Sequence, residues 1–167
     1  MIRRIAAILL IVPLLLSVTG CDTKSRLHTT VADMECALDE NFVLFSKSVN
    51  ELTSCGTISV YKNQQEIKSI KSYVVAFQDL IFVSDRLLSE DEYTFLYDTI
   101  YPLFAEYSLT FVGNFSEDRT TRFTFEEEYG QIAFLEYSKE DPRQTWTLLP
   151  LESKQIQENW YAAILSD

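Results

Sequence analysis

Chemistry at neutral pH needs side chains that can take up charge, carry a proton or share electrons, and this chain supplies few of them. It contains a single histidine, His28, within the polar stretch DTKSRLHT. A Ser-His-Asp triad or a Cys-His pair needs a histidine inside the fold, and zinc sites draw on several histidines or thiolates. Neither is expected here, and no cofactor or metal is expected either. Cys36 and Cys55 lack the C-x-x-C spacing of thiol-exchange catalysts. The remaining option is a pair of carboxylates, which suffices for glycoside hydrolysis. The candidates are Glu126, Glu127, Glu128 and Glu136: in a strand Glu126 and Glu128 share a face, and Glu136 can lie across from them. The same acidic run also reads as a solvated strand end that discourages edge-to-edge association. The acidic stretches SEDEYTFLYD and FSEDR lack the oxygen spacing and central glycine of a calcium loop. The glycines are too scattered to cradle a phosphate, so nucleotide binding has no support.

The most specific signal lies at the start of the chain. Arg3 and Arg4 precede an apolar run over residues 5–16 that is short for a membrane span and is interrupted by Pro13, the plan of a secretory signal. Val18, Thr19 and Gly20 then lead into Cys21. This VTGC stretch resembles the lipobox of bacterial lipoproteins, and the resemblance covers residues 1–21 only. It implies that residues 1–20 are removed and that the Cys21 thiol carries a diacylglyceryl group, with a further acyl chain, often palmitate, on the new amino terminus. Each buried methylene contributes about 0.8 kcal/mol, so two or three chains together give a lasting tether. Asp22 directly after such a cysteine implies, in enterobacterial-type lipoproteins, retention on the periplasmic side of the inner membrane.

Without Arg3 and Arg4, 12 basic residues face 25 acidic ones, a formal charge of −13. That charge disfavours nucleic acid and anionic headgroups, whose binding depends on Lys and Arg, and favours a basic partner; it also simply keeps a periplasmic protein soluble. In the oxidising periplasm, Cys36 and Cys55 can pair and would close a loop stabilising by roughly 3 kcal/mol. The alternative leaves Cys36 as a small buried helix residue and Cys55 as a free thiol.

Residues 22–29 are polar and aperiodic, so residues 21–29 read as a lipidated tether and 30–167 as one domain. With 47% apolar residues the chain can bury a core. Apolar positions at 31, 34, 38, 42, 45, 49 and 52 predict an amphipathic helix of about six turns, with Thr30 as its N-cap. TISVYK alternates as a strand does. Over 64–88 the spacing favours a helical face, although SYVVAF and LIFVS are rich in strand formers. Ser89 and Glu92 form a capping box that launches a helix through Tyr93, Leu96, Ile100 and Phe104, which Pro102 can kink or shorten. After residue 107, SLTFVG, TRFTFEE, QIAFLEY and QTWTLLP predict four strands in an antiparallel meander. Ile156, Trp160 and Ile164 predict a closing helix. The expected class is α+β, with N-terminal helices, about four strands and a C-terminal helix.

The aromatic excess, 11 Phe, 9 Tyr and 2 Trp, offers interface anchors. Tyr93, Tyr97, Tyr101, Trp146 and Trp160 are the candidates for a partner surface, and burial in the core is the competing account. The expected function is a non-catalytic periplasmic lipoprotein that binds another envelope protein, as inhibitor or immunity factor by analogy of size, charge and location. The alternative is a carboxylate enzyme acting on cell-wall glycan, marked by a cleft with two carboxyl groups about 5–9 Å apart.

Overall fold

The computed structural model describes residues 27–62, 72–115, 120–128 and 130–166. Cys21 and Asp22, with the signal segment and most of the tether, lie outside these residues, as does 64–71 of the stretch read as helix. No described helix is long and apolar enough to cross a membrane.

At the first helix Thr30 Oγ1 accepts from the amide of Asp33 while the Asp33 carboxylate accepts from the Thr30 amide, so the start of α1 (Val31–Glu40) is closed at both donors. The apolar period continues through α2 (Phe42–Ser54), but one residue interrupts the helix. Asn41 leaves helical geometry at φ −128°, ψ 34°, and its side-chain amide donates to the Tyr107 hydroxyl and the Glu106 carboxylate. The predicted single helix is therefore two, sharing one buried face.

The expected four-strand architecture is overturned. Eight antiparallel strands form one sheet in the order β2-β3-β1-β4-β5-β6-β8-β7, with three α-helices among the described residues. β1 (Ile58–Lys62) matches its predicted place, and β4 (Phe111–Phe115), β5 (Thr120–Glu128) and β6 (Gln131–Ser138) form three strands of the meander. Of QTWTLLP, residues 144–148 belong instead to a crossover containing a 3-10 turn, Pro142–Gln144, and only Leu149 and Pro150 lie in a strand. Residues read as helix in 73–84 form the hairpin β2 (Tyr73–Phe77) and β3 (Leu80–Ser84) about Gln78, whose φ is 52°. β3 is buried on both faces, which turns its period of two into a continuous apolar run. The predicted closing helix is likewise a hairpin, β7 (Leu149–Gln157) with β8 (Trp160–Ser166), turning at Asn159 with φ 66°. Trp160 and Ile164 are four apart, an even spacing that also holds one face of a strand.

α3 (Glu90–Tyr107) begins at the predicted capping box and runs five residues past Pro102. All three helices pack on one face of the sheet, against Ile58, Phe82, Val112, Phe123, Leu135 and Ala162. On the other face the β6–β7 crossover lays Trp146 and Leu148 against Phe134, Ala163 and Leu165. Burying a side chain such as Phe82 or Phe104 contributes roughly 1.5–3 kcal/mol.

The α3 cap carries a pH-dependent contribution. Glu92 accepts from Arg86 at 2.6 Å and from the Ser89 amide at 2.8 Å. The Arg86 guanidinium first, then Ser89, bring its carboxyl from 4.5 down to about 2. A depressed carboxyl stabilises the fold above its unfolded value and loses that contribution as pH falls to the folded one. The melting temperature of the unaltered chain should therefore exceed that of Glu92→Gln above about pH 4.5. The gap should close between there and about pH 2, as thermal melts of both chains would show.

Candidate functional site

Two of the carboxylates proposed for glycan chemistry, Glu126 and Glu136, are separated by the sheet itself. Arg122 pairs across β5–β6 with Glu136 on the face away from the helices, and Glu136 is 1% exposed. Its Oε2 accepts from Arg122 Nε at 2.8 Å and Nη2 at 2.7 Å. The guanidinium lies 4.2 Å from the Phe134 ring centroid. Strict alternation would put Glu126 on that same face, but a register shift between Thr124 and Glu126 sets Glu126 opposite Ala133, on the helix side. There Glu126 Oε2 accepts from the His28 and Thr29 amides at 2.8 and 2.9 Å, fixing where the chain enters the domain. Glu128 follows on the helix side, opposite Gln131, and both Glu127 and Glu128 are exposed. Glu126 and Glu136 thus lie on opposite faces, each engaged in a structural contact. Among the described residues no group of three His, Cys, Asp or Glu side chains could hold a metal.

The thiols are free and differently placed, so the expected Cys36–Cys55 bridge is not formed in this structure. Cys36 is exposed on α1 rather than buried, and its Sγ donates to Glu40 Oε1 at 3.4 Å. That bond, reinforced by the Glu40 charge, pushes the thiol up from its ordinary range. Cys55 is buried at the C-cap of α2, and burial pushes it up despite a contact with Ser54. Neither is set up as a nucleophile.

The aromatic candidates divide unequally. Tyr93, Tyr97 and Trp160 are core residues, while Tyr101 stacks on Tyr97 at 4.8 Å and is half-buried. Trp146 is half-buried edge-on to Phe134, its Nε1 buried without a hydrogen-bond partner among the described residues. These residues form no common exposed surface.

An open groove of about 450 Å³ runs between α2 and the β7–β8 hairpin. Phe42, Val49, Tyr137 and Trp160 line its apolar side, with Ser46, Asn50, Gln157 and Asn159 supplying polar groups and Glu158 one charge. Trp160 sits edge-on to Phe42 at 6.5 Å and to Tyr137 at 5.3 Å. The hairpin wall is tied to α1 by Gln157 Nε2 donating to Asp39 at 2.9 Å and by Lys154 pairing with Glu35 at 2.6 Å. At the mouth Phe42 is 41% exposed and the adjacent Val43 80%. Trp160 was legible as an aromatic candidate; Phe42 was hidden because its helical spacing assigned it to the core. Val43 carried a signal, an apolar residue outside the helical period.

No family model, curated protein or solved structure matches this chain.

Proposed function

We propose that this chain is a membrane-tethered, non-catalytic binding protein, held through lipid on Cys21 at the periplasmic side of a bacterial membrane, inner by the Asp22 signal. In this reading the groove beside α2 receives a segment of another envelope protein. The observation that carries it is the exposed Phe42 at the mouth of a groove whose walls are hydrogen-bonded in place. Among 13 residues α2 carries only Lys47 and Glu51 as charges, a stretch of no net charge on a chain of formal charge −13. Depletion of charge around an aromatic anchor is the composition of an interface centre. The surrounding acidity favours a basic partner. The engagement of Glu126 and Glu136 on opposite faces supports a binding role over glycan hydrolysis.

The test is site-specific photocross-linking in native cells, with the reactive group at Asn50 in the groove and, for comparison, at Glu128. One reproducible protein adduct from position 50 and none from 128 is the expected result. Equal labelling from both positions, or none from 50, overturns the groove reading. Fractionation of the same cells tests the anchor: Cys21→Ser should move the chain from membrane to soluble fractions, and unchanged membrane retention would refute the lipid tether.

A further inference from the structure

The two edges of the sheet are treated differently. On the outer strand β7, Pro150 removes one ladder donor, two register shifts break the line of pairing, and Glu152 and Lys154 add charge. These are devices that discourage another strand from adding on. β2, the opposite edge, has none of them. Its sequence, YVVAF, is uncharged, has no proline and pairs with β3 in unbroken register. Tyr73 is 50% exposed and Val74 42%. Among the described residues β2 pairs with β3 alone.

The hairpin fixes which amides are free to pair. Phe77 and Leu80 flank the two-residue turn Gln78–Asp79 and so exchange both hydrogen bonds of the closing pair. Bonding alternates from there, so Tyr73, Val75 and Phe77 bond to β3. The N–H and C=O groups of Val74 and Ala76 point away from the sheet, as two donors and two acceptors in extended register.

An acidic group stands at one end of this edge: Asp79 lies in the turn. Asp85, which follows Ser84 at the other end, is turned toward the start of β1, where its carboxylate accepts from the Thr57 amide. Burial first, then Tyr101 and the charges of Asp79 and of Asp98 on α3 among others, raise the hydroxyl of Tyr97, the aromatic neighbour of Phe77, above the usual phenol range. With a formal charge of −13, a second copy of this chain would bring like charges together.

The geometry points to β2 as a docking edge for an extended, basic segment of a partner protein, which adds a ninth strand through Val74 and Ala76 and places a cationic side chain near Asp79. Main-chain bonds would supply affinity, and Asp79 with the chain's net negative charge would select a basic segment. This edge and the α2 groove lie toward opposite ends of the strand order, so each is tested without the other.

The probe is a capped ten-residue peptide alternating valine and lysine, with a valine–glutamate peptide as control, added to the full chain in detergent at up to about millimolar concentration. Hydrogen exchange of the Val74 and Ala76 amides is read by NMR. The basic peptide should slow both at least tenfold and the acidic one should leave them unchanged. Ala76→Pro removes an outward donor and should abolish the effect; Val74→Lys, which leaves the β3 ladder intact, should weaken peptide binding at least tenfold even if the proline variant fails to fold. No slowing by the basic peptide, or equal slowing by the acidic one, overturns the proposal. Slowing that rises with protein concentration alone also overturns it, in favour of a second copy on the same edge.

Discussion

Replacing Arg122 with alanine should destabilise the domain by about 3 kcal/mol, because it leaves the Glu136 carboxylate, 1% exposed, without the guanidinium that compensates its burial. Arg122 is itself 26% exposed, which places the effect at the lower end of what breaking a buried pair costs. Part of the loss is packing, since the guanidinium covers the Phe134 ring and lies 5.9 Å from Phe115. For a domain of this size the shift in melting temperature is about 6–12 °C. Replacing both partners, Arg122→Met with Glu136→Leu, removes the buried charge along with its counterion and should recover most of the loss. Chemical denaturation of the single and double variants gives the comparison. A double variant no more stable than Arg122→Ala would mean that the pair contributes specific contacts beyond cancelling charge.

The same pair shows why the site was only partly legible in sequence. Local signals held: the Thr30 N-cap and the Ser89–Glu92 capping box each need only a few residues of context, and each closes a helix start in the structure. Signals that depend on the partner strand did not. Nothing in TRFTFEEE indicates the register shift after Thr124, yet that shift alone sends Glu126 to the helix side while Glu136 faces Arg122. β8 failed for a related reason: WYAAILS lies between two strands and is largely buried on both faces, so its alternation is erased and the spacing of Trp160 and Ile164 suits helix and strand alike. β7 is largely exposed and has no apolar face to announce it. Aromatic content overstated the interface because Tyr93, Tyr97 and Trp160 fill the layer between helices and sheet. Phe42, the exposed aromatic at the groove, follows directly on the Asn41 break, which depends on contacts with Glu106 and Tyr107 about 65 residues away.

Phe45 and Phe42 separate stability from binding within a single turn of α2. Phe45 is fully buried, edge-on to Phe123 at 5.0 Å and to Trp160 at 6.1 Å, and 5.7 Å from Tyr107. One ring thus joins α2 to β5, β8 and the end of α3. Phe45→Ala removes a whole ring from a site whose walls belong to four elements and cannot collapse together, so a loss of about 4 kcal/mol is expected. Phe45→Leu, which keeps most of the volume, should cost about 1.5 kcal/mol or less. Urea denaturation should show a lower midpoint with an unchanged slope for both. Phe42→Ala removes a ring that is 41% exposed and should move the midpoint little. Because Phe42 stands at the groove mouth against Trp160, the same change should sharply reduce the adduct formed from position 50. A Phe42→Ala chain that keeps both its midpoint and its adduct would remove Phe42 from the docking surface; a chain that keeps its midpoint and loses the adduct would assign the ring to the partner.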